Sequence, residues 1–388
     1  MTPKTIAASA IDAAAGELHD ISRRLHAHPE IGFQEFESSR LVADRLEQAG
    51  FVLTRHAFDL PTAFVATRGT GSLQIGICAE YDSLPGIGHA CGHNLIAATA
   101  IGAAVGLAAV ADAIDATVHV LGTPAEEVGD GGGKILMLER GAFRDLHMAM
   151  MVHPAPFDVL TPRLVASCTF DVHYTGRASH AGGFPELGIN AADALTVAQT
   201  SIGLLRQHLE PDDRVHGIVT HGGDAPNIVP AHTTARYTLR AGSLERLEEL
   251  RRRVLRCFEA GALATGCTWH VDGGTRPYAE VRHDRELAAI YRRNAETLGR
   301  QFVDSGPVAE RPTASTDMGN VSRLVASIHP LIGIDSSPAV NHQPEFAAAV
   351  ITPAAERATL DGAIALAWTA IDAAEDPLRA RLLAARAR

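Results

Sequence analysis

One short stretch of the chain concentrates side chains that can bind a metal ion. Residues 79–94 contain two carboxylates, a thiol and two imidazoles, interleaved with glycine and proline. Within this stretch, Cys91-Gly92-His93 places a soft sulfur and a borderline nitrogen two positions apart, and the glycine lets both side chains turn toward one point. The stretch is therefore predicted to be half of a metal site, with the remaining ligands supplied from elsewhere in the chain.

Further metal-binding side chains stand after other apolar segments. Glu126 and Glu127 directly follow an apolar run, His153 follows another, and His342 lies in a late polar loop. Sulfur, imidazole and carboxylate ligands suit zinc or another borderline divalent ion and do not suit calcium or magnesium. Five or more ligands, with one shared carboxylate, are compatible with two ions spaced about 3.5–4 Å apart.

Each of these residues also has a purely structural interpretation. A lone Cys91 is usually a small buried hydrophobic residue, the pair Glu126-Glu127 is usually solvated, and Asp82 can simply cap the turn that follows it. His153 and His342 are two of 19 histidines in the chain. The Cys-x-His spacing in a glycine-rich turn, and the acidic pair placed after an apolar strand, favour the functional interpretation because buried charge is costly unless it is paired or bound to metal.

The elements that must position these residues follow from hydrophobic periodicity. Strands are predicted at 51–56, 63–67, 73–79, 117–122 and 148–152. Ile11, Leu18, Ile21 and Leu25 share one face of a predicted helix, and further helices are predicted at 35–49, 95–111 and 134–140. Strands that alternate with helices indicate an α/β layer with a mainly parallel sheet, and in such sheets ligands bind at the carboxyl edge, where the candidate residues stand.

The pattern changes near residue 167. From there the order is strand, helix, strand, strand, helix, strand, with helices at 189–209 and 244–264, which suits a ferredoxin-like α+β domain. It is predicted to span 167–275 and to be inserted into the first domain, which would comprise 1–166 and 276–388. Two domains also fit the length of 388 residues, which exceeds what a single core usually supports.

Composition excludes several classes of function. A formal net charge of −11 argues against nucleic acid or an anionic membrane as the main partner. Five scattered cysteines indicate reduced thiols and a cytoplasmic protein. The N-terminus is a poor signal peptide, and the longest apolar stretch, 95–111, is too rich in alanine and glycine for a membrane span.

An ordered set of motifs resembles a known family. The motifs are Tyr81-Asp82-Ser83-Leu84-Pro85, Gly88-His89-Ala90-Cys91-Gly92-His93, Pro124-Ala125-Glu126-Glu127, Met151-Val152-His153-Pro154, Gly176-Arg177-Ala178-Ser179-His180-Ala181, Pro226-Asn227-Ile228-Val229-Pro230 and Ser315-Thr316-Asp317-Met318-Gly319-Asn320-Val321-Ser322, with Arg240 and the segment from His342 to Phe346. Together they resemble the aminoacylase, carboxypeptidase G and hippuricase family of dinuclear-metal hydrolases, metallopeptidase family twenty. The resemblance is greatest to its hippuricase and aminobenzoyl-glutamate hydrolase branch.

This resemblance implies a role for each site residue in the first domain. The implied metal ligands are Cys91, His93, Glu127, His153 and His342, for two divalent ions, zinc or manganese. Glu126 resembles the general base that deprotonates the attacking water and then protonates the leaving amine. Asp82 resembles the carboxylate that supports the metal ligands from behind.

In the inserted domain, His180 and Asn227 resemble polar groups that steady the substrate and its oxyanion. Arg240 resembles the clamp on the substrate carboxylate, a task suited to a guanidinium fork. In this family the inserted domain is a lid that also forms a homodimer, and its histidine can serve the partner's site.

The implied activity is metal-dependent hydrolysis of the amide bond of an N-acyl amino acid or a dipeptide-like small molecule. The chain departs from most hippuricase-like members by having Glu80 in place of aspartate and Asn94 after Cys91-Gly92-His93, with a shorter loop between. Other branches have a histidine ligand where Glu80 stands, so the resemblance assigns Glu80 and Asn94 no role and transfers no particular substrate.

Two other hypotheses stay open at this point. In the first, Cys91 is the nucleophile of a cysteine amidase, with His93 or His89 as its base. In the second, the metal cleft only binds acyl amino acids and performs no chemistry. The presence of Glu126 speaks against the second hypothesis, because a binding protein has no need of a general base.

Overall fold

The computed structural model describes residues 1–306, 314–375 and 377–385. Its strands are β1 Val52–Arg55, β2 Phe64–Arg68, β3 Leu73–Ala79, β4 Ala116–Gly122, β5 Met148–Met150, β6 His153–Ala155, β7 Ala166–Thr175, β8 Arg214–His221, β9 His232–Ala241, β10 Thr268–Gly273, β11 Ala326–Ile328 and β12 Leu331–Gly333. Its helices are α1 Pro3–Ala13, α2 Ala15–Ala27, α3 Phe36–Gln48, α4 His93–Ala108, α5 Gly133–Glu139, α6 Ala191–Leu205, α7 Leu244–Thr265, α8 Arg285–Thr297, α9 Met318–Ser322, α10 Pro344–Ala349, α11 Pro353–Ala373 and α12 Leu378–Ala385.

The larger sheet has the strand order β1-β2-β4-β3-β5-β11. Strands β4, β3, β5 and β11 are parallel, whereas β1 and β2 pair antiparallel at one edge. Strands β3 and β4 are apolar and buried along nearly their whole length, as expected for parallel strands covered by helices on both faces. This confirms the predicted α/β class, and it brings the carboxyl ends of β4, β3 and β5 to one edge of the sheet.

Helix α4 begins at the candidate site and runs through the centre of the main core. It is buried around nearly its whole circumference, because the sheet lies on one side and helices α1, α2 and α11 cover the others. Small residues make this close packing possible. A Cβ atom added at Gly102 would lie 2.8 Å from Cβ of Ala363 and 3.0 Å from Cδ1 of Leu18. The metal-binding stretch is therefore attached to a rigid element at its C-terminal end.

The smaller sheet has the order β10-β7-β9-β8 and is antiparallel throughout. It is formed by consecutive elements of the chain, β7-α6-β8-β9-α7-β10, which is the predicted ferredoxin-like order. Helices α6 and α7 pack on one face and enclose a hydrophobic core separate from the main one. The opposite face of this sheet, which we call the open face, carries polar side chains.

Some predicted elements differ in extent from the observed ones. The segment predicted as the first helix forms two helices in the structure. Helix α1 ends at Ala13, and helix α2 begins at Ala15. Helix α6 is shorter than predicted: Asn190 caps its start, and after Leu205 the chain continues as a 3₁₀ turn, Arg206–His208. Within the described part of the chain, no helix has the length and apolar character required to cross a bilayer.

Candidate metal centre

The geometry of the site begins with the turn between Cys91 and His93. Gly92 has a left-handed backbone with φ of 86°, and a Cβ atom there would lie 2.4 Å from Cγ of Pro154. Only glycine meets both requirements. The turn directs Cys91 and His93 into the same cavity at the carboxyl edge of the large sheet.

The structure brings all five predicted metal ligands together. Three groups of side chains each have ligand atoms within 4.8 Å of one another: Cys91, His93 and His153; Cys91, Glu127 and His342; and His93, Glu126 and Glu127. Sγ of Cys91 lies 3.4 Å from Nε2 of His153. Cys91, His93 and Glu127 each belong to two of these groups, and such overlap is the arrangement needed for a ligand shared by two ions.

Unpartnered buried atoms test whether a cation fits this cavity. Nε2 of His93 and Oε1 of Glu127 are buried and have no hydrogen-bond partner among the described residues. The other ring nitrogens are occupied, since Nδ1 of His93 lies 2.9 Å from Oδ1 of Asp82 and Nδ1 of His153 lies 2.9 Å from the carbonyl oxygen of Pro154. Both imidazoles therefore present Nε2 to the cavity, as metal-bound histidines do. The donor set fits a borderline divalent cation.

Asp82 stands behind the ligands. Its Oδ1 contacts His93, and its Oδ2 accepts a hydrogen bond of 3.0 Å from the backbone N–H of Glu127. The carboxylate is almost completely buried. It thereby fixes the positions of two predicted ligands from different strand ends, although it does not belong to the ligand groups.

The acidic pair is held by a strained turn. Ala125 has a positive φ of 55°, which is unusual for a residue with a side chain. Its N–H donates to the buried carboxylate of Glu35 at 2.7 Å, and the hydroxyl of Tyr278 donates to the carbonyl oxygen of Glu126 at 2.6 Å. These contacts over-determine the turn, so that the side chains of Glu126 and Glu127 both reach the cavity.

The two carboxylates titrate very differently. Burial raises the pKa of Glu126 well above its usual value, and the adjacent Glu127 raises it further. Burial also acts to raise the pKa of Glu127, but the imidazoles of His342 and His93 outweigh it and bring that pKa to about 2. The pair consists of one carboxylate that holds charge and one that accepts a proton readily, the combination expected for a ligand next to a base.

His342 closes the cavity from the late loop. It has a positive φ of 69°, and its N–H donates to the carbonyl oxygen of Ala90 at 2.8 Å. The neighbouring amide of Asn341 donates to the carbonyl oxygens of Cys91 and Pro154. Nε2 of His342 lies 3.5 Å from Oε1 of Glu127, while the side chain stays 54% exposed. His342 is therefore the solvent-facing member of the set.

A buried ion network beside the cavity is absent from the sequence prediction. Nζ of Lys134 donates to Glu80 at 2.5 Å and to Asp317 at 2.6 Å, and all three side chains are fully buried. The second oxygen of Glu80 lies 3.4 Å from Nε2 of His93. Glu80 therefore connects this network to the candidate ligands. The sequence signal was a lone lysine at the start of an apolar helix, directly after a run of glycines.

Two further residues near the site have roles in packing. Asn94 points away from the cavity and donates to Oγ of Ser22 at 2.8 Å, which anchors the start of α4 to α2. His329, which was not predicted, stacks on His153 with ring centroids 5.6 Å apart. Burial and the adjacent His153 hold the pKa of His329 well below its usual value, so its ring is neutral.

The predicted substrate residues divide into two places. Nη1 of Arg240, at the end of β9, donates to Oγ of Ser315 at 2.9 Å, so this guanidinium connects the smaller sheet with the segment just before helix α9. His180 and Asn227 are exposed and lie together, because the N–H of Ala181 donates to the carbonyl oxygen of Asn227. In the described residues, no hydrogen bond or ion pair joins either side chain to the ligand cluster of the same chain.

The mainly parallel sheet gathers thiol, imidazole and carboxylate side chains at its carboxyl edge, next to the buried carboxylate of Glu126. This arrangement is typical of a metal-dependent hydrolase. Comparison with known proteins gives the family. Residues 76–359 match the family model Peptidase family M20/M25/M40. The chain belongs to this family of metallopeptidases, and it is a hydrolase that cleaves an amide bond to release an amino acid.

Individual relatives agree with this assignment. The chain is 41% identical over 384 residues to an Xaa-Arg dipeptidase of Mus musculus, covering 95% of this chain and 88% of that relative. It is 34% identical over 280 residues to a component of the p-aminobenzoyl-glutamate hydrolase of Escherichia coli, covering 67% of this chain and 58% of that relative. A dinuclear metal binding peptidase of the M20 family from Bacillus subtilis has the same fold, with a TM-score of 0.66 at 22% identity over 92% of this chain and 98% of that one.

Proposed function

We propose that the chain hydrolyses the amide bond of a dipeptide or an N-acyl amino acid that carries a free carboxylate. The observation that carries the proposal is the gathering of Cys91, His93, Glu127, His153 and His342 around one cavity, with Glu126 at its edge. The identity to a dipeptidase supports a dipeptide-like substrate. The proposed partner is thus a small molecule, and neither nucleic acid nor a membrane.

In the proposed mechanism, Glu126 acts as the general base. Its carboxylate lies 3.9 Å from Nε2 of His93, at the border of the ligand cluster, where it can take a proton from water and pass it to the leaving amine. Two divalent ions held by the five ligands would polarise the scissile carbonyl and lower the pKa of a bound water from 15.7 toward about 7. Asp82 keeps His93 and the Glu127 backbone in place during the reaction.

Zinc and manganese are the ions proposed for this centre, because the ligands combine a thiol with imidazoles and carboxylate. Exhaustive treatment with a chelator is expected to abolish hydrolysis, and adding back zinc or manganese is expected to restore it. The assay would use a panel of dipeptides ending in arginine or lysine, N-acyl amino acids and p-aminobenzoyl-glutamate. Unchanged turnover after nearly all metal has been removed would contradict the proposal.

Arg240 is proposed to bind the substrate carboxylate. Replacing it with alanine is expected to raise KM by about 10–100-fold, since a charge-assisted hydrogen bond contributes about 1.5–3 kcal/mol. Lysine keeps the positive charge but lacks the paired N–H donors of the guanidinium group. Arg240→Lys is therefore expected to recover only part of the affinity for the substrate. The measurement is KM for a dipeptide against KM for its C-terminal amide. If Arg240→Ala raises KM equally for the dipeptide and for its amide, Arg240 does not bind the substrate carboxylate.

The inserted segment 167–275 is proposed to be a lid and dimerisation domain, flanked by a catalytic domain of 1–166 and 276–388. The separate core around β7, α6 and α7 supports these limits. Strand β8 is an edge strand with Ile218 65% and Val219 46% exposed, which suits pairing with a second copy. In such a homodimer the exposed His180 and Asn227 would serve the partner's site.

The two rival hypotheses are less well supported. Burial and Glu127 hold the pKa of the Cys91 thiol well above its usual value, which is unfavourable for a nucleophile. Within the described residues, His89 forms no hydrogen bond with Cys91, so His93 is the candidate base that lies beside this thiol. A binding protein without activity would not need the proton-accepting Glu126. Inhibitors distinguish a cysteine amidase from a metal-dependent hydrolase. A thiol alkylator alone inactivates the cysteine amidase, whereas a chelator abolishes hydrolysis by the metal-dependent enzyme.

The free cysteines support a reducing, cytoplasmic location. They are Cys78, Cys91, Cys168, Cys257 and Cys267.

A further inference from the structure

A second cluster of metal-binding side chains lies on the open face of the smaller sheet. Ligand atoms of His173, His270 and Asp272 all lie within 4.8 Å of one another. His173 is on β7 and His270 directly opposite it on β10, while Asp272 follows two residues later on the same face. We propose that these three residues bind one borderline divalent cation, with zinc as the leading candidate.

The spacing of the ligand atoms fits a tetrahedral ion. Ligand bonds of about 2.0–2.1 Å in a tetrahedron place the ligand atoms about 3.3 Å apart. Nε2 of His173 lies 3.3 Å from Oδ2 of Asp272, and Nε2 of His270 lies 3.7 Å from the same oxygen. Because the two imidazole planes are nearly parallel, the exposed side chain of His270 must turn to reach that geometry, and water would complete the coordination.

The surroundings position the two imidazoles beside Asp272. Their rings stack at 4.6 Å with an angle of 5° between the planes, and Nε2 of each lies near Oδ2 of Asp272. Parallel rings cannot direct both Nε2 lone pairs at one ion, so the exposed His270 ring turns when the ion binds, while His173 keeps its place. Nδ1 of His173 lies 3.3 Å from Oγ1 of Thr234, which accepts its proton when Nε2 binds a metal. The nitrogen that faces Asp272 is therefore the one left to bind an ion.

Charge explains why Asp272 is available. Asp171 lies directly opposite it on β7, and like charges at such positions repel. Arg236 pairs with Asp171 and donates two hydrogen bonds of 2.8 Å each to its carboxylate. Among the described residues, no arginine pairs with Asp272, which faces the two imidazoles instead. A bound cation would neutralise this carboxylate and tie the edge strand β10 to β7.

The cluster is separate from the candidate catalytic centre. His173 pairs with Thr234 on β9, six residues from Arg240, which corresponds to about 20 Å along the strand. His270 and Asp272 are 60% and 69% exposed, so the ion would exchange with solvent and bind more weakly than at the buried centre. Its expected effect is on the lid domain rather than on the reaction itself.

The test is a zinc titration of the full chain whose catalytic centre is already loaded, followed by competition with a chromophoric chelator. The wild type is expected to bind one further zinc ion per chain. His270→Gln and Asp272→Asn are each expected to lower the affinity for that ion at least about tenfold, with the rate of hydrolysis unchanged. Both side chains are exposed, so folding should be preserved, and unchanged hydrolysis checks this.

His208→Gln is the matched control, because it removes an exposed histidine of the same domain outside the cluster. It is expected to retain the additional ion. Binding of no ion beyond those of the centre would overturn the proposal, as would equal zinc affinity in wild type, His270→Gln and Asp272→Asn. Each of these results leaves the proposed amide hydrolysis unaffected, since the readout is zinc stoichiometry.

Discussion

Replacing Glu126 with glutamine is expected to lower kcat by about 10²–10⁴-fold while the bound metal is retained. The substitution keeps the shape of a side chain that is nearly buried at the edge of the ligand cluster, but removes its ability to accept a proton. The five candidate ligands keep their contacts, including that of Asp82 with His93. Steady-state kinetics on the best substrate of the panel, together with metal analysis, measure both quantities.

Glu139→Gln is the matched control for this experiment. Glu139 is a partly exposed carboxylate paired with Arg276, so its loss is expected to leave kcat within about twofold. Full activity in Glu126→Gln would show that another group accepts the proton. Loss of metal from Glu126→Gln would instead make Glu126 a ligand, and the assignment of the base would be wrong.

Replacing Lys134 with methionine is expected to destabilise the protein by about 3–5 kcal/mol, because it leaves two buried carboxylates without their cation. Glu80 and Asp317 are both fully buried, and each accepts a hydrogen bond from Nζ of Lys134. Methionine fills most of the volume, so the loss reports on charge rather than on a cavity. The measurement is the free energy of unfolding from urea titration of the metal-free chain.

Lys4→Met provides the comparison. Lys4 also contacts a carboxylate, that of Asp372, but it is 34% exposed, and its loss is expected to cost less than about 1 kcal/mol. Combining Lys134→Met with Glu80→Gln and Asp317→Asn is expected to recover part of the stability, because no unpaired charge then remains. Equal destabilisation by Lys134→Met and Lys4→Met would show that the buried network stabilises the fold no more than a partly exposed ion pair does.

Much of the fold could be predicted because its signals are local. Strands β3 and β4 are largely apolar, with Gln74 and with Thr117 and His119 as their polar residues. The order of elements from β7 to β10 follows from alternation and turn residues. The gathering of Asp82, Glu126 and His153 could be anticipated for a related reason. Each stands just after a strand of one parallel sheet, so the geometry of the sheet brings them to the same edge.

What could not be predicted depends on contacts between distant parts of the chain. Lys134 reads as an ordinary surface lysine until Asp317, 183 positions later, is folded against it. The strands β11 and β12 are only three residues long and take their register from β5 and β6, which periodicity cannot reveal. The roles of the individual site residues stay predictions, because geometry places the side chains together without showing what each does.

The buried network of Glu80, Lys134 and Asp317 has a consequence for how this protein can diverge. Its three positions are far from equivalent, since one cation faces two carboxylates in a fully buried setting. Loss of either carboxylate leaves a neutral ion pair, whereas loss of the lysine leaves two negative charges without compensation. We therefore expect drift to proceed in a fixed order, with a carboxylate replaced before the lysine. Position 134 is then the slowest of the three to change, although its side chain is not needed to touch the substrate.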